Sequence, residues 1–135
     1  MRALLPLAAW LLTLASPAGA GDDVAAAQNV IRSQAEAFSR DDAVTAYFFA
    51  APAIHGLFPQ ADIFMFMVQN SYAPVYRHRN FEFGEARVSD GRIAQRVHII
   101  DAEGVAWEAL YTLELEPDGS LKIIGCVLLK AGQAV

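Results

Sequence analysis

The chain has 135 residues, 55% of them hydrophobic and 19% charged, with a formal net charge of −5 and one cysteine. That length allows one ordinary domain and no second. The acidic balance excludes a nucleic-acid binder, which needs a basic surface, and the lone Cys126 excludes an internal disulfide framework and a cysteine-rich zinc site.

Residues 1–20 read as a cleaved signal peptide. Arg2 precedes an apolar run from Ala3 to Ala15, and Ala18-Gly19-Ala20 offers a small-x-small cleavage site before Gly21. As a helix that run spans about 20 Å, short of a hydrocarbon core of roughly 30 Å. No twin-arginine pair is present, and no cysteine follows the run to carry a lipid. The expectation is a periplasmic or secreted protein with no membrane segment in its mature form. Residues 21–135 then form a single domain, and losing Arg2 takes the formal charge to −6. In an oxidising compartment an unpaired cysteine is either interior and inert or joined between chains, and burial is expected.

The first half is helical. Val24, Ala27, Ile31, Ala35 and Phe38 recur at spacings of three and four, predicting a helix over 22–39 with Asp22 or Asp23 at its start. Asp41 is a natural cap for a second helix over 42–51, which Pro52 should stop. A linker over 53–59 leads to a third helix over 60–72. Its run from Ile63 to Val68 is unbroken, so burial on more than one side is expected.

After Pro74 the period changes to two. Four strands are predicted over 81–89, 92–101, 105–116 and 120–130, joined by Asp90-Gly91, Ala102-Glu103-Gly104 and Pro117-Asp118-Gly119. The first pair suits a two-residue type I′ turn; the other two suit three-residue loops ending in glycine. The sheet is therefore an antiparallel meander, with Ser89 opposite Arg92, Asp101 opposite Val105 and Glu116 opposite Ser120.

Counting outward from those turns sorts the side chains. One face holds Ile93, Gln95, Val97 and Ile99, then Trp107, Ala109, Tyr111 and Leu113, and should pack beneath the helices. Val127 and Leu129 count onto the same face. The other face holds Phe81, Phe83, Glu85 and Arg87, then Arg96, His98, Glu108 and Leu110, then Lys122, Ile124, Cys126 and Leu128. Opposite charges fall together at Glu85–Arg96, His98–Glu108 and Glu114–Lys122. An apolar area edged with charge marks an interface, and a twofold dimer needs only one such patch. Phe83, His98, Glu108, Leu110, Cys126 and Leu128 are accordingly the candidate homodimer face.

Three N-terminal helices on a curved, four-stranded antiparallel meander make an α+β fold. It resembles the cone of the nuclear-transport-factor-2-like (NTF2-like) superfamily. The stretches Ala37-Phe38-Ser39-Arg40-Asp41-Asp42-Ala43, Ala50-Ala51-Pro52-Ala53-Ile54 and Tyr72-Ala73-Pro74-Val75-Tyr76 carry a closer likeness. With Leu113 to Gly119 and Ile124-Gly125-Cys126-Val127-Leu128, they resemble the bacterial family named domain of unknown function 4864 over the whole mature chain. The resemblance implies the cone, a pocket between sheet and helices, and often dimers through the outer sheet face. It implies no activity, since steroid isomerases, dehydratases, polyketide cyclases and non-enzymatic carriers share the fold. The chain also departs from the enzymes. The segment Ala53-Ile54-His55-Gly56-Leu57-Phe58 carries no acid, and Phe38 stands where a steroid isomerase places an oxyanion-hole tyrosine, so no catalytic residue is carried over.

Eleven of the 13 aromatics after residue 20 lie between Phe38 and Phe83, the segment that should roof the cone. They serve either as a plain aromatic core or as the wall of an apolar pocket with a few polar tips. Tyr111, Gln95, Tyr47, Tyr72, Trp107 and His55 are the candidate pocket residues, with Glu82 near the rim. Arg77-His78-Arg79 reads as a solvated basic turn. The three histidines have no ligand-like spacing, so neither metal nor cofactor is expected. Two functions fit: a module that binds a small apolar ligand or a protein partner, and a small isomerase, dehydratase or cyclase using His55 or Glu82 as its titratable group.

Overall fold

The computed structural model describes residues 19–132. The expected signal peptide therefore lies almost wholly outside the described residues. Five helices precede four strands: α1 (Ala20–Ser39), α2 (Ala43–Phe48), α3 (Pro52–Leu57), α4 (Ala61–Ser71), α5 (Ala73–Tyr76), β1 (His78–Ser89), β2 (Arg92–Asp101), β3 (Ala106–Leu115) and β4 (Leu121–Lys130). The strands form one antiparallel sheet in the order β1-β2-β3-β4, the expected meander. None of the described helices is long and apolar enough to cross a membrane.

Five helices stand where three were expected because two prolines start helices rather than end them. Pro52 and Pro74 each occupy the first turn of a short helix, α3 and α5, where the missing N–H costs nothing and the fixed φ suits the helix. The capping residue also shifts by one. Asp42, not Asp41, accepts the Thr45 amide at 3.1 Å. Asp41 itself adopts φ +56° at the end of α1, a left-handed conformation that an acidic side chain tolerates better than most. Two interactions hold it there: the Tyr76 hydroxyl donates to its carboxylate, and Arg77 Nη2 lies 2.7 Å from the same oxygen. Arg77 also donates to the Phe38 carbonyl at 2.8 Å, so it is a clasp between α1 and α5 rather than part of a solvated turn.

The core lies between the sheet and the helices. Ala27, Ile31 and Phe38 of α1 pack over Val97, Ala109 and Leu113, all nearly inaccessible. α4 is less enclosed than its apolar run suggested. Phe64, Met65 and Val68 are buried, whereas Ile63 and Phe66 face outward.

All three turns follow their residues. Asp90 and Gly91 both have positive φ, as a type I′ turn requires, and Ser89 pairs with Arg92. The Asp101 amide donates to Val105 O at 2.9 Å and the Glu116 amide to Ser120 O at 2.7 Å, each across a loop closed by a positive-φ glycine. Between β2 and β3 the register runs unbroken from Arg92–Glu114 to Ile100–Ala106, which sets Gln95 opposite Tyr111.

On the outer strands the expected face assignment is corrected by two bulges. Phe83 pairs with Val97 and Ala86 with Gln95, so Gly84 and Glu85 together oppose Arg96. The extra residue inverts the alternation below it. Phe81 and Phe83 therefore face the helices: the Phe81 ring lies 6.5 Å from that of Tyr111, and the Arg32 guanidinium of α1 sits over Phe83. Glu82, opposite His98, is turned away from the cone instead of toward its rim. On β4 the partners step from Leu113–Ile123 to Thr112–Gly125, leaving Ile124 as the extra residue. Cys126 and Leu128, opposite Tyr111 and Ala109, accordingly point inward, and Val127 and Leu129 take the outer face.

Candidate functional site

A cavity of about 240 Å³ opens between the helices and the β3–β4 half of the sheet. Its floor is Tyr111, Ile123, Gly125 and Cys126; Gln34 and Phe38 of α1 form one side; Ile54, Phe58, Phe64 and Val68 form another. Leu57, 72% exposed, stands at the mouth. The wall is thus mainly hydrocarbon and aromatic surface, with four side chains that carry a polar atom.

Each of those four is neutral at ordinary pH. Tyr72, past the end of α4, donates to the Cys126 carbonyl at 2.9 Å and ties that helix to the edge strand. Tyr111 and Cys126 are cross-strand neighbours on the floor. Burial pushes the thiol up to about 12. Burial likewise holds Tyr111 far above the usual phenol range, with the nearby thiol acting in the same direction. Tyr72 is raised for the same two reasons. Gln34, only 4% exposed, donates from Nε2 to the Ala46 carbonyl at 3.1 Å.

Of the six candidate pocket residues, Tyr111 and Tyr72 line this cavity and the other four do not. Gln95 is fully buried beneath the β1 bulge, where Nε2 donates to Gly84 O at 3.0 Å and Arg96 O at 2.8 Å while Oε1 accepts from Gln28 at 3.1 Å. Its amide braces a break in the ladder. Trp107 lies at the far end of β3, donating to Asp101 at 2.8 Å. That carboxylate also accepts the Glu103 and Val105 amides, so the pair shapes the β2–β3 loop; the bond from Trp107 is the leading reason its pKa is lowered. Tyr47 donates to Phe58 O at 2.5 Å, and His55 stacks on the Tyr47 ring with Nε2 2.7 Å from the Tyr47 carbonyl. A carbonyl can only accept, so the proton is on Nε2. Both side chains join α2 to α3 behind the cavity wall.

Of the six residues expected on the outer face, His98, Glu108 and Leu110 are there, while Phe83, Cys126 and Leu128 point inward because of the bulges. Glu108 stands beside His98, but its ion pair is with Arg96 at 3.0 Å. The His98 ring instead covers Gly84, where a Cβ would come within 2.7 Å of Nε2. Among the described residues no group of three or more His, Cys, Asp or Glu is placed to hold a metal ion.

Gln34 is the cavity residue that periodicity passed over. It lies three residues after Ile31 and four before Phe38, on the buried stripe of α1, and a polar side chain on such a stripe is the available signal.

The family model described as Domain of unknown function (DUF4864) matches residues 20–134. Two solved structures share the fold. One is an NTF-2 like protein of unknown function from Silicibacter pomeroyi, 16% identical, with a TM-score of 0.60 over 83% of this chain and 98% of that one. The other is an NTF2-like protein of unknown function from Shewanella baltica, 11% identical, with a TM-score of 0.57 over 85% and 98%. No curated protein matches the sequence.

Proposed function

The chain belongs to the DUF4864 family, and from that starting point we propose that it is an exported module that binds a small apolar molecule in the cavity above β3 and β4. The observation that carries this reading is the chemistry of the wall: hydrocarbon and aromatic surface with a few neutral polar tips, the usual make-up of a small-molecule site. At about 240 Å³ the space exceeds the roughly 150 Å³ apolar cavity that takes up benzene, so a substituted single ring fits its scale.

Isomerase, dehydratase or cyclase chemistry needs a titratable group at the reacting atoms. Glu82 and His55, the two groups such a reading relies on, are directed elsewhere, one across β1 and the other onto Tyr47. Binding without turnover is therefore the favoured function. Export rests on the sequence, on Arg2, the apolar run from Ala3 to Ala15 and the small-x-small site Ala18-Gly19-Ala20. The outer sheet face favours a second copy as partner: Val127, 56% exposed, sits across from Leu110 with the Arg96–Glu108 pair alongside.

Isothermal titration with para-propylphenol tests the ligand reading. One saturable site is expected in the wild type and none in Cys126→Phe, whose ring fills the floor. Equal binding by both proteins would place the ligand elsewhere, and circular dichroism of the variant establishes that it has folded.

A further inference from the structure

Gln34 has more hydrogen-bonding capacity than the protein uses. Its Nε2 is fixed on the Ala46 carbonyl, which can only accept, so the amide cannot be turned around and Oε1 must lie on the other side. Among the described residues no hydrogen bond reaches that oxygen, yet no side-chain oxygen or nitrogen sealed from the open space lacks a partner. Oε1 is therefore in contact with open space, and for a residue only 4% exposed that space is the cavity it lines. An acceptor so placed discriminates: a pure hydrocarbon would strip it of solvent and return nothing.

We propose that the cavity selects a neutral, mostly apolar molecule with one hydrogen-bond donor, a phenol, an alcohol or an amide, that donates to Gln34 Oε1. This rests on the reading of the cavity as a ligand site. Anions are rejected on two grounds. A carboxylate would bring a second acceptor against Oε1, and no cationic side chain lines the wall to balance its charge. The raised Cys126 and Tyr111 values report the same resistance to negative charge on the floor.

Three probes of one shape separate the possibilities in the folded chain: para-propylphenol, propylbenzene and para-propylbenzoate, each titrated calorimetrically. The phenol is expected to bind roughly three- to tenfold more tightly than the hydrocarbon, the worth of one neutral hydrogen bond, and the benzoate most weakly. In Gln34→Met the phenol's advantage is expected to vanish while propylbenzene binding is retained. The Ala46 carbonyl keeps the Phe49 amide as a partner in that variant, which limits the damage to folding. Equal wild-type affinity for phenol and hydrocarbon, or a preference for the benzoate, overturns the role of Gln34 while leaving the ligand site standing. Failure of all three probes to bind overturns the ligand site itself. The wild-type ranking decides the matter even if the variant does not fold.

Discussion

Gln95 Nε2 donates to the Gly84 carbonyl at 3.0 Å from inside the sheet, at the point where β1 carries its extra residue. That contact holds the bulge that turns Phe81 and Phe83 under the helices. A polar residue in the middle of an apolar face thus serves the architecture of the cone, one strand away from the cavity. Gln95→Leu removes the donor from part-buried carbonyls at Gly84 and Arg96 and leaves Gln28 without its acceptor. A loss of about 1–3 kcal/mol is expected, the cost of stranding such groups. Urea denaturation checks it, and an unchanged midpoint would show that the bulge stands without its brace.

Asp41 couples the fold to pH. The Tyr76 hydroxyl, then Arg77, hold its carboxyl below the ordinary value of 3.8. A folded-state value lower than the unfolded one adds stability that is fully present above the unfolded pKa and lost as pH falls through the folded one. Asp41→Asn, which tolerates the positive φ, is expected to flatten the stability profile below about pH 4 relative to wild type. Asp42, Asp101 and Asp118 are also lowered and leave a residual slope. Identical acid limbs for the two proteins would contradict this role.

Cys126 is expected to be inert in the folded chain. With its thiol near 12, the thiolate fraction at mildly alkaline pH falls about a thousandfold below that of an exposed cysteine. Aromatic disulfide reagents should label the native chain far more slowly than the urea-unfolded chain. Immediate stoichiometric labelling of native protein would show that burial does not suppress the thiolate.

The outer face gives a prediction of its own. Val127 is 56% exposed and contributes nothing to the core, so Val127→Glu should leave the fold intact while placing two like charges across a twofold interface. Sedimentation is expected to show a dimer for wild type and a monomer for the variant. The same sedimentation coefficient for both would remove this face from the interface.

Most of the sheet was legible from its turns. Asp90-Gly91 and the two glycine-closed loops define where each strand begins, and between β2 and β3 the alternation carries the pairing across without interruption. The outer strands depart from the expected faces because a bulge leaves no mark on a period of two: Phe81-Glu82-Phe83 alternates equally well on either face. Gly84, which lies under the His98 ring and cannot carry a Cβ without moving it, is the visible warning. The β4 bulge had only the neighbouring Gly125 to announce it. That one residue moved Cys126 from a supposed interface to the floor of the cavity. Proline both stops and starts helices, and at Pro52 only the backbone after it distinguishes the two. Tyr111 is legible as a polar side chain on the apolar inner face of the sheet, and Tyr72 as a polar tip on the aromatic segment above it. Gln34 is hidden by its neighbour Ala35, which continues the apolar spacing of α1 without it.

The space between α1, α4 and the floor of β3 and β4 is proposed to hold a small neutral molecule. Amide NMR spectra recorded during addition of para-propylphenol test it most directly. Saturable shifts should concentrate at Tyr111, Ile123, Gly125 and Cys126, together with the side-chain amide of Gln34. Shifts confined to the outer sheet face, or changes that never saturate, would contradict it.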